Sequence, residues 1–448
     1  VDIQAQFAIA QFEKENPTRF ISRNIVRELQ EEYPDIALGG MALMNAVSRI
    51  YHETGSQFVI IFDEWDYPIR ELAEGSGERS DYIELLRGLF KNSDAKEYIR
   101  LAYLTGIMPI VRKKGQSAVN NFMEYTMTNP MDLAQDIGFT ESEVRMLCER
   151  SGADYGQMRE WYNGYDLNGI AMYNPLSVVR ALSSGRFQQY WTVTGTYGDI
   201  DDLISKNFDG LREEIIKMLS GNRIPINVSN GKNDLQYFKN KSEVITALIH
   251  LGYFAYDADA REAYVPNKEI QEVFYQYMED NESDNLSRFM KFSEKILSTV
   301  LEGDAEETAR QIQGVHNDFV SSIEYNDENS LSCTIMIALI SAFRYYYKPV
   351  RGFPCEKGFA DIVYLPLPNY PNRPVIVVEL KWDKSAEAAI AQIKKRQYPE
   401  SLRSFSGEIL LVGIDYDKKT KEHTCVIERL YAQTRAEEIS SYGKKVLE

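Results

Sequence analysis

Three ionisable residues towards the C-terminal end, Asp361, Glu379 and Lys381, have the types and spacing for phosphate chemistry. Asp361 stands directly before Ile362-Val363-Tyr364-Leu365, and Glu379 and Lys381 close the run Val375 to Val378. Two apolar runs of strand length flank a turn containing Pro366, Pro368, Pro371 and Pro374, which predicts a β-hairpin or two adjacent strands. Residues i and i+2 of a strand share a face, so Glu379 and Lys381 emerge side by side. With Asp361 on the neighbouring strand, two carboxylates and an ammonium converge. Paired carboxylates can hold Mg2+ (or Mn2+), which keeps several waters and takes its remaining ligands from substrate phosphates. The cation then activates water and offsets charge at phosphorus, and the lysine orients the nucleophile or stabilises the transition state. On this reading the Leu380 carbonyl is a further ligand, and Lys381 acts on the rate and not on metal binding. The same residues also fit a plain hairpin with a cross-strand ion pair, which contributes little on a surface.

The elements around these residues decide between the two. Ala386, Ala389, Ile390 and Ile393 fall at helical spacing, and Gly407-Glu-Ile-Leu-Leu-Val-Gly413 reads as another buried strand. The order D…ExK on paired strands, then a helix and a strand, resembles the PD-(D/E)XK nuclease superfamily. The resemblance implies that Asp361 and Glu379 are metal-binding acids and Lys381 the catalytic lysine. It also matches Gln392 to a glutamine that some branches place at the site, with the aromatic that follows it displaced to Tyr398. Glu328 could supply the acid that the superfamily often adds from a preceding helix, or it could be an N-terminal charge favoured by the helix dipole.

A second constellation lies near the start of the chain. Gln57-Phe-Val-Ile-Ile-Phe-Asp-Glu-Trp-Asp66 is an apolar strand ending in Asp63 and Glu64. This is the Walker B pattern of P-loop ATPases: a strand buried in a parallel sheet, an Asp on hydrated Mg2+ and a Glu that polarises the attacking water. The next strand-like run, Ile99 to Leu104, ends in Thr105, where the pattern often places a sensor of the γ-phosphate. No G-x-x-x-x-G-K-[ST] occurs in the 448 residues, so the backbone cradle and lysine that hold the phosphates are missing. Either the domain is a degenerate relic or the chain starts downstream of that loop; the expectation is the second, with Val1-Asp-Ile-Gln4 an edge of the same sheet and ATP bound weakly or not at all without the loop.

The length allows two or three domains with a substantial core. No run of about 18 apolar residues exists, so the chain is not expected to enter a membrane. Cys148, Cys333, Cys355 and Cys425 lack paired spacing and read as free thiols of a reducing cytoplasm, and His52, His250, His316 and His423 form no local ligand pair. The net charge of -17 is unlike the basic footprint usual for a nucleic-acid partner. Short basic clusters do occur at Arg112-Lys113-Lys114, Lys394-Lys395-Arg396 and Lys418-Lys419, although such runs are more often solvated faces.

The middle reads as mostly helical. Thr140 and Glu143 form a capping box, Trp161-Tyr-Asn-Gly-Tyr165 ends a helix at Gly164, and Tyr173-Asn-Pro175 opens another. Ser242 to Tyr256 and Ala263 to Pro266 suggest a small winged-helix-type lid, and Asn281-Glu-Ser-Asp-Asn285 a linker. F-D-E-W-D-Y-P, L-T-G-I-M-P-I, W-Y-N-G-Y, Y-N-P-L-S-V and E-L-K-W, in this order, resemble bacterial AAA-ATPase-like proteins with a C-terminal PD-(D/E)XK nuclease domain. The expected fold is multi-domain α/β: an ATPase-like parallel sheet over 1–129, a helical, lid-like region over 130–280, and a nuclease-like domain over 281–448. The resemblance implies Mg2+ (or Mn2+) and ATP as cofactors, nucleic acid as partner, and room for self-association. The expected function is ATPase-coupled, metal-dependent cleavage of nucleic acid, in defence against mobile DNA. The alternative is an ATP-dependent signalling or scaffold protein with an inactive nuclease-like domain.

Overall fold

A computed structural model describes residues 16–73, 75–107, 121–191, 203–204, 208–228, 238, 240–280, 285–320, 328–355, 358–396, 402 and 407–431. The fold is mixed α/β, in two compact units between which the chain passes more than once. One unit draws on Val1–Ala134 and Ile226–Ala258, the other on Gln135–Pro225 and Asp259–Glu448.

The first unit begins with α1 (Pro17–Glu32), α2 (Leu43–Thr54), β1 (Phe58–Phe62), α3 (Tyr67–Glu71), α4 (Gly77–Lys91), α5 (Ala95–Tyr98) and β2 (Ile99–Leu104). Asn16 caps α1 by accepting from the Thr18 and Arg19 amides, and Ser76 caps α4 by accepting from Arg79. β1 and β2 pair in parallel, with Val59 opposite Leu101 and Phe62 opposite Leu104. Phe58, Ile60, Phe62, Ala102 and Leu104 pack on the helices' buried Ile50, Tyr82, Leu86, Leu89 and Phe90. The other face differs from the buried strand expected of the sequence: Val59 is 58% and Ile61 69% exposed, with Leu101 and Tyr103 beside them. The reason is that the described helices cover one face only, and among the described residues nothing covers the other.

The second unit opens with β3 (Phe139–Thr140), α6 (Glu141–Ser151), α7 (Tyr155–Tyr162), β4 (Tyr165–Leu167), β5 (Ile170–Tyr173), α8 (Pro175–Ser184), α9 (Leu211–Leu219) and β6 (Ile224–Pro225). Both halves of the Thr140–Glu143 capping box are formed. Gly164 is required by contact: a Cβ there would lie 1.9 Å from the Pro266 carbonyl oxygen, at φ +112°. The aromatics around it are core residues, with Tyr162 and Tyr173 packed on Val144, Met158 and Val178.

The chain returns to the first unit for α10 (Lys241–His250) and β7 (Ala255–Asp257), then enters the second at β8 (Glu262–Tyr264), which pairs with β6. There follow α11 (Lys268–Asp280), α12 (Asn285–Glu302), α13 (Ala305–Val315) with a π-helical turn over His316–Val320, and α14 (Glu328–Ala338). Last come β9 (Val350–Cys355), β10 (Gly358–Tyr364), β11 (Val375–Trp382), α15 (Ala386–Lys395), β12 (Glu408–Asp417) and β13 (Glu422–Tyr431). Of the linker suggested by the sequence, Asn285 already belongs to α12, and 281–284 lie outside the described residues, as do Val1-Asp-Ile-Gln4, Arg112-Lys113-Lys114 and Tyr398.

The five strands form one mixed sheet in the order β13-β12-β11-β10-β9, with β11 and β12 parallel and the other pairs antiparallel. Val375, Val377, Ile409 and Leu411 on one face pack against Ile390 and Ile393 of α15. α13 and α14 pack against the sheet as well, and in one corner Trp382 lies 4.9 Å from Tyr416, which lies 4.9 Å from His423, itself 5.2 Å from His316. No described helix is long and apolar enough to cross a membrane.

One glycine sets how closely α15 approaches. Gly413 pairs with Glu379, and a Cβ on it would sit 2.4 Å from the Ala386 carbonyl oxygen and 3.1 Å from the Ala389 methyl. Gly413→Ala should therefore lift α15 and cost about 1–3 kcal/mol, the usual cost of overpacking, seen as a lower urea midpoint with an unchanged slope.

Candidate functional site

Asp361, Glu379, Lys381, Gln392 and Glu328 come together where β10, β11, α15 and α14 meet. The β10–β11 register runs from Tyr364–Ile376 to Ile362–Val378. One residue beyond, the Asp361 side chain takes over, its Oδ2 accepting the Leu380 amide at 2.8 Å. Glu379 and Lys381 share the face covered by α15, as strand alternation requires. Lys381 Nζ donates to Glu379 Oε1 at 3.2 Å and to the Leu380 carbonyl at 2.7 Å, and Glu328 Oε1 is 3.9 Å away. Gln392, one helical turn past Ala389, donates from Nε2 to the same Oε1 of Glu379. The cross-strand ion pair of the plain-hairpin alternative does not form between Asp361 and Lys381: Lys381 turns to Glu379, and Asp361 to the backbone.

The electrostatics are those of a charge held under a helix. Glu379 is fully buried and Lys381 is 6% exposed. Burial first, and then the neighbouring Asp361, push Glu379 up from 4.5 to about 7, against the pull of Lys381 and Arg396. Among the described residues Glu379 Oε2 meets no donor, although it is buried. A buried carboxylate oxygen left without a partner is costly unless something else binds there. Oε2 of Glu379, the free oxygen of Asp361 and the Leu380 carbonyl are all hard donors, which fits a hard divalent cation such as Mg2+ that brings its own waters. Among the described residues no group of three or more His, Cys, Asp and Glu side chains is arranged to hold a metal, so two carboxylates would be the protein's charged share.

The N-terminal acids lie at the end of β1. Thr105 Oγ1 donates to Asp63 Oδ1 and accepts the Glu64 amide at 3.2 Å. Glu64 adopts φ +50°, an uncommon conformation for a residue with a side chain, held in part by that hydroxyl. Two residues not singled out from the sequence complete the corner. Arg70 binds Asp66 Oδ2 through Nε at 3.1 Å, and its Nη2 lies 3.6 Å from Glu64 Oε2. Asp66 is 3% exposed, and Gly106 passes so close that a Cβ there would be 2.6 Å from its Oδ1. The signal was an Asp–Arg pair at i,i+4 opening a helix. This corner has acids that could carry hydrated Mg2+, but the described residues supply no cradle for a triphosphate, and no step is derived through ATP.

Comparison with known families assigns a class to each end. Residues 326–425 match the PD-(D/E)XK nuclease superfamily, a span holding Glu328, Asp361, Glu379, Lys381 and Gln392. Residues 7–114 match a family described as "Predicted AAA-ATPase", a span holding Asp63, Glu64 and Thr105. Over 157 residues the chain is 31% identical to an Azotobacter chroococcum mcd 1 protein described as "Uncharacterized protein in vnfD 5'region". That stretch is 34% of this chain and 30% of the relative, so the chain spans less than a third of the relative's length.

Two measurements follow from the geometry. An acid with a raised folded-state pKa favours the fold at low pH, and that contribution is lost as pH rises. The unfolded chain ionises near 4.5, while folded Glu379 stays protonated until about 7. Urea titrations from pH 4.5 to 7 should show stability falling with pH, and Glu379→Gln should remove about 3 kcal/mol of that fall; parallel slopes for both proteins would count against it. In the first unit, Thr105→Val removes the hydroxyl shared by Asp63 and Glu64 and should cost about 1 kcal/mol, read as a lower unfolding midpoint for that unit.

Proposed function

We propose that this chain is a divalent-metal-dependent phosphodiesterase acting on nucleic acid, carried beside an ATPase-like module. The observation that carries this reading is the buried Oε2 of Glu379, without a donor among the described residues, with Asp361 and Lys381 around it. A structural ion pair would have no use for that orphaned oxygen, and a metal site does. Asp361 and Glu379 would hold the cation, with the Leu380 carbonyl. The cation supplies Lewis acidity, making a nearby water a better nucleophile at neutral pH and offsetting charge on the phosphoryl oxygens. Lys381 places an ammonium where that charge grows in the transition state. Gln392 orients Glu379 through Oε1, leaving Oε2 directed at the site. The ATPase-like acids Asp63 and Glu64, with the Thr105 hydroxyl, belong to the same reading as the nucleotide-responsive part of the molecule.

The test is cleavage of single- and double-stranded DNA and RNA by the full chain with Mg2+ or Mn2+, each with a chelator control. Metal-dependent cleavage is expected, lost in Glu379→Ala. Lys381→Ala should lose about 100- to 1,000-fold in rate, and Gln392→Ala about tenfold to 100-fold. Equal cleavage by wild type and Glu379→Ala would place the activity elsewhere, and no cleavage of any substrate would remove the reading.

A further inference from the structure

Part of the group that would hold a divalent cation already holds an ammonium. Lys381 Nζ lies 2.7 Å from the Leu380 carbonyl, one of the oxygens the metal reading needs, and 3.2 Å from Oε1 of Glu379, whose Oε2 is another. We propose that the Lys381 ammonium is the resident counter-cation of this site, and that a divalent metal enters by displacing it. Metal arrival and release of the lysine towards the substrate are then one event. The inference rests on the metal-dependent reading above and adds the order in which the site assembles.

The physical case has three parts. A fully buried carboxylate needs compensation, and Lys381 with Gln392 supplies it from within the chain. A dication and an ammonium repel, and the two cannot both sit against the Leu380 carbonyl and the one Glu379 carboxylate. The lysine also has somewhere to go. Its stem is flexible, and Glu328 Oε1 waits 3.9 Å from Nζ with its side chain 52% exposed, marking the open side of the site. Glu328 is in this account a positioning residue, drawing the displaced ammonium outward.

The arrangement changes what a substitution of Lys381 should do. If the lysine acted on the rate alone, its removal would leave metal affinity as it was. As the resident cation it competes, so its removal should strengthen metal binding while abolishing catalysis.

Two measurements on the full chain test this, both with Mn2+ alone as probe. Calorimetry at pH 8.5, above the range in which Glu379 takes up a proton, should give Lys381→Met a dissociation constant about tenfold tighter than wild type, with Glu379→Gln as the control that loses binding. The second uses wild-type protein and so does not depend on a variant folding: acetic anhydride labelling read by mass spectrometry. Lys381 should be nearly unlabelled without metal and labelled several-fold more with saturating Mn2+, while exposed Lys291 and Lys395 stay constant. Binding by wild type with an unchanged constant in Lys381→Met, or with Lys381 labelling unchanged, overturns the displacement and leaves the metal reading standing. Absence of Mn2+ binding in both proteins overturns the two together.

Discussion

Burying the Glu379 carboxylate under a helix is the constraint on which the C-terminal half depends. Burial of an ionised carboxyl is costly unless positive or hydrogen-donating partners are supplied at fixed places. The sheet supplies Lys381 two residues along the same strand, α15 supplies Gln392, and α14 brings Glu328 to the far side of the lysine. Each partner arrives on a different element, so the packing of those elements and the placing of the charge are one problem. Loosen the helix and the acid gains water; remove the acid and the helix covers a plain strand.

The first unit handles its acids differently. Asp63 is met by a neutral hydroxyl, and Asp66 is buried but bound to Arg70. Glu64 sits between these arrangements, its amide on Thr105 and its carboxylate near Arg70, with most of its side chain in solvent. Asp63 and Glu64 face solvent and carry little desolvation cost, and buried Asp66 is compensated by Arg70, so this corner keeps three acids close together where the sheet at the other end tolerates only a compensated pair.

Much of this was legible in the sequence because the patterns concerned are local. The β1, β2, β10, β11 and β12 strands follow from their apolar runs, the α15 helix from Ala386, Ala389, Ile390 and Ile393, and the shared face of Glu379 and Lys381 from the alternation of a strand. What was not legible depended on three-dimensional neighbours. Lys381 could have paired with Asp361 or Glu379, and only where the β10–β11 pairing ends, at Ile362, is it settled that the aspartate goes to a backbone amide. The exposed Val59, Ile61, Leu101 and Tyr103 read as buried because an apolar strand carries no mark of which face its helices will cover. The passage of the chain from one unit to the other and back leaves no local trace, and neither does the contact of His316 with His423, which are far apart along the chain.

Trp382 follows Lys381 directly in β11 but faces the opposite side of the sheet, its ring against Tyr416. It therefore stands outside the chemistry while sharing the strand with it. Burial holds the nearby His423 down to about 3, with His316 adding to the effect, and burial lowers His316 too. Around neutral pH these imidazoles are uncharged and do not quench indole as imidazolium does. One of the four indoles thus stands at the edge of the site on the strand that carries its charges, beside imidazoles that leave its emission unquenched at neutral pH.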